Sequence, residues 1–190
     1  NGAGKTSMLN CISGLYQPTT GSIRYKGQEI INMKPYNRTT LGMARAFQNI
    51  ALFAHMSVLD NLKLGRHSLM KEGIFSGGLY VGKASKEEID HRQKVEEVIE
   101  FLDLQDIRHT PVGTLSYGLQ KRVEVGRALA LNPELILLDE PMAGMNNAEK
   151  DMMARFILDM HEVMGTTVVL IEHDLGVVMS LSDHIAVLDF

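Results

Sequence analysis

The sequence lacks three features that would place it in other classes of protein: paired cysteines, long apolar runs and an excess of one charge. Cys11 is the only cysteine, so the chain can form no internal disulfide, and a reducing compartment suits it. No apolar run approaches the ~20 residues of a membrane-spanning helix. The formal charge of −4 is close to balance, so we expect no nucleic-acid partner. Composition and length favour one α/β domain with a sizeable core.

Short apolar segments separated by turn residues predict the strands of a mainly parallel sheet. These segments are Met43 to Gln48, Leu135 to Leu138, Thr166 to Ile171 and His184 to Leu188. Runs of this length and composition are typical of strands buried on both faces. Nearer the N-terminus, the segment from Gln17 to Gly27 has turn residues followed by alternation, which predicts an antiparallel strand or hairpin.

Helices are predicted between these strands from apolar spacing and cap residues. Four of them have expected bounds: Lys5 to about Ile12, Ser57 to about Leu64, Ser116 to about Asn132, and Ala148 to Met164. A fifth helix is expected to begin at the capping box of Ser85. The helix after Ser85 carries an apolar face made of Ile89, Val95, Val98, Ile99 and Leu102. From Gly65 to Ala84 we expect a loop that is either mobile or in contact with a partner. The alternation indicates a parallel sheet wrapped by helices.

The first seven residues match the final part of the phosphate-binding loop G-x-x-x-x-G-K-[ST]. They are Asn1, Gly2, Ala3, Gly4, Lys5, Thr6 and Ser7. Small residues allow backbone N–H groups to close around phosphate oxygens. Lys5 would add a charge for the outer phosphates, and the Thr6 hydroxyl is placed to bind Mg²⁺. A Gly-rich helix cap is the alternative, but it does not require Gly-Lys-Thr in sequence, so we favour nucleotide binding.

Two adjacent carboxylates, Asp139 and Glu140, follow the apolar strand that ends at Leu138. Open α/β sheets bind ligands at the carboxyl ends of their strands. Two dry carboxylates side by side repel each other, and a divalent cation removes that conflict. Asp139 can therefore hold Mg²⁺, directly or through water, while Glu140 is free to polarise a water. Taken alone, the pair is equally consistent with a strand that ends in a polar turn, and the phosphate loop decides for the functional interpretation.

Three further residues are candidates because of their positions. His173 follows the strand expected beside the carboxylate strand, where a neutral imidazole can donate to a phosphate oxygen and fix the attacking water. Gln48 ends another strand, where its carboxamide can bind Mg²⁺ and orient a water, although its sequence context alone favours an ordinary polar loop residue. Ser116 stands at a helix start, where its hydroxyl can accept a backbone N–H.

These residues carry a family resemblance that spans nearly the whole chain. The ordered set is NGAGKTS at the start, Gln48, LSYGL at 115–119, ELILLDEP at 134–141 and His173 within IEHD. It resembles the ATP-binding-cassette ATPases that drive ABC transporters, and most closely the ATP-binding subunits of branched-chain amino acid importers. The resemblance implies a P-loop NTPase fold with a helical subdomain at about 57–132 that carries the signature motif, inserted in a single domain that spans 1–190 and is incomplete at both ends.

The resemblance also implies roles. Asn1 to Ser7 would cradle the phosphates of ATP, and Thr6, Gln48 and Asp139 would serve Mg²⁺. Glu140 would be the general base, with His173 and Gln48 completing the catalytic set. Ser116 and Gly118 would contact the γ-phosphate of ATP held by a second ATP-binding subunit, identical or different. Further expected partners are membrane permeases and, indirectly, a substrate-binding protein, and the expected location is the cytoplasmic face of the inner membrane.

The sequence departs from the family pattern at three positions. Tyr117 and Leu119 replace the usual Gly and Gln of the signature, and Asn146 replaces the usual Asp of a loop expected at the dimer seam. The residue that stacks on adenine would lie before Asn1, so we expect the 190 residues alone to bind ATP poorly. A soluble ABC-type ATPase of the translation or DNA-repair class, not attached to a permease, is the alternative function.

Overall fold

A computed structural model of the chain describes residues 3–46, 51–66 and 81–189. These residues form two compact units, one made of Asn1–Asn49 with Pro133–Phe190 and the other of Ile50–Asn132. In the described part of the chain, no helix combines the length and the apolar character needed to cross a membrane.

The first unit is built on a parallel sheet of three described strands. These are β3 (Met43–Ala46), β4 (Leu135–Asp139) and β5 (Thr167–Ile171), with β4 in the middle. All five residues of β4 are buried, which explains why its sequence is continuously apolar and not alternating. The register sets Ala46 against Leu138 and Asp139 against Ile171, so β4 and β5 end at the same edge.

Helices and a short hairpin surround this sheet. The helices are α1 (Lys5–Ser13), α2 (Pro35–Thr40), α6 (Asn147–Glu162) and α7 (Leu175–Leu181). The hairpin pairs β1 (Arg24–Tyr25) and β2 (Gln28–Glu29) in antiparallel orientation. A core cluster joins Leu9 of α1 to apolar residues of the sheet and to Ile30. Burial of these side chains fixes α1 against the sheet that carries the carboxylates.

The carboxyl end of α1 is held by a buried arginine. Arg38 is only 2% exposed, and its guanidinium donates to the carbonyl oxygens of Cys11 and Ile12 at 2.7 Å each. A cation is favourable where a helix leaves its last carbonyl groups without partners. Gly14 ends the helix with φ 84°, and a Cβ there would lie 2.8 Å from Arg38 Nε. Gly14 therefore provides both the left-handed turn and the space for the arginine.

The second unit is helical. It contains α3 (Val58–Arg66), α4 (Val81–Phe101) and α5 (Tyr117–Leu129), together with two 3₁₀ turns at Gln105–Ile107 and Val112–Thr114. Gly126 of α5 lets the helices approach closely, since a Cβ there would meet Leu102 at 2.8 Å and Leu62 at 3.0 Å. Asn61 is fully buried, and its side chain bonds both backbone groups of Phe53, which fixes the segment before α3.

Several predicted elements are confirmed. The parallel sheet, the antiparallel element and the alternation with helices are all present. Helix α1 matches its predicted bounds to one residue, and Ser116 is the N-cap of α5, with its hydroxyl accepting the Leu119 N–H at 3.4 Å. Cap residues and apolar runs locate these elements because both signals are local.

Other predictions are wrong. The segment His184 to Leu188 forms no strand, and four of its five residues are exposed, with Val187 at 86%. It pairs with no described strand, and β-branched residues alone do not make a ladder. Helix α4 begins at Val81, so Ser85 lies inside the helix, not at its start. The loop expected from Gly65 to Ala84 is helical at both described ends, because α3 runs to Arg66 and α4 starts at Val81, and residues 67–80 lie outside the described part of the chain. The sequence predicts Ile89 on the apolar face of this helix, but it is 59% exposed because it precedes the buried part of α4. Met164 lies beyond the end of α6 and is exposed.

Candidate functional site in the first unit

The predicted catalytic residues of the first unit converge at the carboxyl edge of the sheet. Asp139 is the last residue of β4, Glu140 follows it, and His173 comes two residues after the end of β5. The Glu140 N–H donates to the Ile171 carbonyl at 2.9 Å, which extends the β4–β5 pairing past the strand ends. This hydrogen bond brings the residues after the two strands next to each other.

Asp139 is buried and held from two sides. Its carboxylate has no exposed area in its side chain. The Thr6 hydroxyl of α1 donates to Oδ1 at 3.4 Å, and the Arg45 guanidinium of β3 donates to Oδ2 at 3.3 Å. Burial lowers the pKa of Arg45, and the attraction of Asp139 opposes that shift. A buried carboxylate is stable only when it is paired and hydrogen-bonded in this way.

Glu140 and His173 form the shortest polar contact of the site, with 2.5 Å between Glu140 Oε1 and His173 Nε2. A carboxylate can only accept, so Nε2 must carry the hydrogen when Glu140 is ionised. Glu140 adopts φ 50°, a left-handed backbone that is unfavourable for a residue with a side chain. Such backbone strain is found preferentially at functional sites. Glu140 Oε1 is thus occupied by the imidazole, and the side chain remains 19% exposed.

Glu172 braces the turn that follows the carboxylates. Its Oε1 accepts the Met142 N–H at 3.0 Å, and its Oε2 accepts the His173 N–H at 3.2 Å. The Glu172 side chain therefore links the turn after Glu140 to His173. The sequence predicted no role for Glu172 or Arg45. Glu172 adjoins the predicted His173, which was an available signal, whereas Arg45 lies inside β3 and offered none. Their partners lie 30 and 94 positions away in the chain.

The start of α1 supplies the described part of the phosphate loop. Gly4 precedes the helix with φ 78°, and no side-chain cap is bonded to the helix start. The first N–H groups of a helix without a side-chain cap are available to an anion, and the helix dipole favours it. Ala3, Lys5 and Thr6 are half-buried, while Gly4 and Ser7 are exposed. Asn1 and Gly2 lie outside the described residues.

In the second unit, the signature segment is at the N-terminus of α5. Ser116 and Tyr117 are exposed, whereas Gly118 is buried. Ser116 therefore presents its helix start at the surface of its own unit. Gln48 lies outside the described residues, so its predicted place at the metal is not described.

The side-chain oxygens at the carboxyl edge of the sheet are of the kind that a hard cation such as Mg²⁺ prefers. Among the described residues, no group of three or more His, Cys, Asp or Glu side chains is arranged to hold a metal ion. A hydroxyl and a carboxylate do come together, at Thr6 and Asp139. Such a pair leaves most coordination positions to water and to the oxygens of a ligand, which is how Mg²⁺ is usually bound at nucleotide sites.

The fold and this edge define a P-loop α/β NTPase, and comparison with known proteins gives the family. The sequence model described as ABC transporter matches residues 1–143. The chain is 36% identical over 189 residues to the high-affinity branched-chain amino acid transport ATP-binding protein BraF of Pseudomonas aeruginosa, covering 100% of this chain and 74% of BraF.

Solved structures agree with this match. The ADP conformation of MJ1267, an ATP-binding cassette of an ABC transporter, is 32% identical with a TM-score of 0.79, covering 96% of this chain and 71% of that chain. A dimeric post-hydrolysis state of the cassette MJ0796 bound to ADP and Pi is 27% identical with a TM-score of 0.74, covering 93% and 72%.

The chain belongs to the ABC transporter family. It is an ATPase of that family, and its ATP hydrolysis powers membrane transport. The alternative of a soluble ABC-type ATPase is not supported, since the similar protein BraF is a transport component by name.

Proposed function

We propose that this chain is the ATP-binding subunit of an importer of branched-chain or other amino acids. The convergence of Thr6, Asp139, Glu140 and His173 at one edge of the sheet is the observation that carries the ATPase part of the proposal. The substrate part is supported by BraF, whose name assigns it to branched-chain amino acid transport. Membrane subunits and a binding protein would choose the substrate, because the cassette itself only handles nucleotide.

The phosphate chain of ATP would lie over the start of α1. Residues 1–7 would wrap the phosphates with their backbone N–H groups, aided by the left-handed Gly4 and the dipole of α1. Lys5 would place its ammonium group against the outer phosphates as a point charge. Thr6 and Asp139, together with Gln48, would hold Mg²⁺, which neutralises charge that develops on the phosphoryl oxygens.

Glu140 would act as the general base. Its Oε1 is bound by His173, which leaves Oε2 to accept the proton of a water placed in line with the γ-phosphorus. The water oxygen forms the new bond to phosphorus, the bond to the β–γ bridging oxygen breaks, and ADP leaves. His173 would orient both the carboxylate and the γ-phosphate. Proton transfer to a positioned base typically contributes ~10²–10⁴-fold.

A second ATP-binding subunit would complete the site. Ser116 caps the exposed N-terminus of α5, a helix of 13 residues. An anion is favourable at such a helix start. ATP held by the partner subunit would supply that anion, with Gly118 as the neighbouring contact. Hydrolysis would then weaken the association and let the subunits separate. The dimeric form of MJ0796 with ADP and Pi supports this arrangement.

We propose that the 190 residues are one cassette domain, and that about 57–132 are its helical subdomain with the signature segment. The division of the described residues at Ile50 and Asn132 supports this proposal. The subunit would attach to permeases at the cytoplasmic face of the membrane, and a substrate-binding protein would act on it only through them.

Uptake measurements test the substrate. In cells that lack the gene, uptake of radiolabelled leucine, isoleucine or valine should fall, and the wild-type gene should restore it. The Glu140→Gln variant should fail to restore uptake although the subunit still assembles. Normal uptake of all three amino acids in the deletion strain, with loss of uptake of an unrelated solute, would contradict the proposed substrate but not the ATPase.

A further inference from the structure

We propose that Arg45 is a positioning residue for the metal carboxylate: its forked guanidinium ties Asp139 to α1 and so fixes which carboxylate oxygen faces the cation. The inference rests on the proposed role of Asp139 in holding Mg²⁺. Arg45 belongs to β3, which pairs beside β4, and its side chain is 8% exposed.

The two terminal nitrogens of Arg45 have different partners. One nitrogen, Nη1, donates to Asn10 Oδ1 at 2.7 Å and to Ser13 Oγ at 2.8 Å, both on α1. The other, Nη2, donates to Asp139 Oδ2 at 3.3 Å. One rigid planar group thus spans the phosphate-loop helix and the end of β4.

This division leaves the other carboxylate oxygen for the site. Thr6 contacts Oδ1, not Oδ2, so the hydroxyl and carboxylate expected at the metal meet on the side that faces away from Arg45. A buried carboxylate with one oxygen fixed by a guanidinium cannot rotate freely or bind a cation with both oxygens. Residues that orient a metal ligand from behind typically change metal affinity 10–100-fold when they are lost.

Charge alone does not provide this arrangement. A lysine in place of Arg45 would keep the positive charge beside Asp139, but its single ammonium group is a point charge without the fork. It can approach Asp139 or the α1 pair of Asn10 and Ser13, but it cannot hold both in the observed geometry. The Arg45→Lys variant therefore separates positioning from charge compensation.

The test is a titration of Mn²⁺, in place of Mg²⁺, into the full-length protein saturated with ADP, followed by electron paramagnetic resonance. For Arg45→Lys we expect Mn²⁺ affinity to fall about tenfold, with ADP affinity in the presence of EDTA unchanged within about twofold. Asn10→Ala removes one α1 anchor of the fork and leaves the charge in place, so it should weaken Mn²⁺ binding by a smaller factor than Arg45→Lys does.

Arg38→Lys is the matched control. Arg38 is also a buried arginine bonded to α1, but its partners are backbone carbonyls and not Asp139. This variant should lose stability and keep its Mn²⁺ affinity. Equal losses in Arg38→Lys and Arg45→Lys would overturn the inference, because a general loosening of α1 would then explain both.

Wild-type Mn²⁺ affinity in a folded Arg45→Lys variant would also overturn the inference. If Arg45→Lys does not fold, Asn10→Ala decides, and wild-type affinity in that variant overturns it. Asp139→Asn tests the proposed metal role of Asp139 separately from the positioning role of Arg45. This variant should lose most Mn²⁺ affinity, and if it does not, the proposed metal role of Asp139 is itself wrong.

Discussion

Glu140 is the residue at which local strain and proposed chemistry coincide. Its backbone has φ 50°, which costs of the order of 1–2 kcal/mol for a residue other than glycine. The bond from its N–H to Ile171 and the contact of its side chain with His173 hold this conformation. The strain turns the carboxylate out of the strand direction and towards the residue that follows the neighbouring strand.

Loss of the imidazole at position 173 should separate binding from turnover. We predict that His173→Ala lowers ATP turnover about 10²-fold or more, because Glu140 loses the group that orients Oε1. ATP affinity should stay within a few-fold of the wild type, since the cradle at the start of α1 is untouched. Steady-state turnover and ATP titration measure the two effects.

The control for this variant is His161→Ala, which removes a histidine near the end of α6 whose ring lies 3.2 Å from the Thr166 carbonyl, away from the carboxylates. We expect nearly wild-type turnover from it. Wild-type turnover in His173→Ala would show that the contact with Glu140 has no part in catalysis.

Sequence alone located Thr6, Asp139, Glu140 and His173 because each residue follows a recognisable local signal: a Gly-Lys-Thr run or the end of an apolar strand. Arg45 gave no such signal. It stands inside a strand and acts on a carboxylate that is distant in the chain, and neither burial nor the partner of a charged side chain can be derived from local spacing.

At the scale of elements, α1 depends on what closes its carboxyl end. We predict that Arg38→Met lowers the free energy of unfolding by about 3 kcal/mol or more, because four backbone carbonyls, among them those of Cys11 and Ile12, each lose the hydrogen bond that the guanidinium donates. A loss of this size corresponds to a decrease in Tm of roughly 10 °C for a chain of this length. Thermal and denaturant unfolding provide the measurements.

Arg24→Met is the control for Arg38. The Arg24 side chain is 72% exposed, and its ion pair with Glu29 is 3.8 Å long, so its loss should cost less than about 0.5 kcal/mol. Equal losses in the two variants would show that the carbonyl contacts of Arg38 do not stabilise α1.

The N-cap of α6 is Asn146, the position at which the family usually has Asp. Asn146 and Glu149 form a complete capping box, with 3.0 Å for each of its two bonds. Asn146→Ala should cost about 1 kcal/mol. Asn146→Asp should stay within about 0.5 kcal/mol of the wild type, because a carboxylate accepts the same N–H and suits the helix dipole. An aspartate variant as unstable as the alanine variant would contradict a capping role.

Elements were predictable where caps and apolar runs agreed, as at α1, β4 and α6. The strand expected from His184 to Leu188 was not, since a strand exists only when a neighbour pairs with it. The start of α4 was placed too late because the sequence at Ser85 offers a good cap, but a cap-like sequence does not prevent the helix from beginning earlier.

At the scale of the whole molecule, stability should depend on pH through a buried pair in the helical unit. Glu124 and Lys121 of α5 are 2% and 1% exposed, with 3.1 Å between Lys121 Nζ and Glu124 Oε2. Burial raises the pKa of Glu124, and the attraction of Lys121 only partly offsets that shift. A raised pKa means that the folded state holds the proton more tightly than the unfolded state.

The sign of the dependence follows from linkage. The contribution of Glu124 to stability is complete below its unfolded pKa and is lost as the pH rises through its folded pKa. We therefore predict that the free energy of unfolding of Glu124→Gln, relative to wild type, increases as the pH rises upward from ~4.5. Denaturant unfolding across this range provides the measurement, and a difference that decreases with pH would contradict it.

Glu97→Gln should give a small change of the opposite sign, because a hydrogen bond from Lys94 lowers the pKa of Glu97. Its contribution is present above its unfolded pKa and is lost as the pH falls. The two variants together show whether the effect arises from burial or from the general charge of the molecule.

The central claim is that ATP joins two copies of this chain, or this chain and a similar subunit, with base and cation on one side and the exposed start of α5 on the other. Light scattering coupled to size exclusion on Glu140→Gln tests it most directly, with Glu162→Gln at the exposed end of α6 as a control carboxylate outside the site. We predict that Glu140→Gln in the full-length protein elutes as a monomer without nucleotide and as a stable dimer with ATP and Mg²⁺, and that adding Ser116→Arg to this variant abolishes the dimer. A Glu140→Gln protein that binds ATP and remains a monomer would contradict the account.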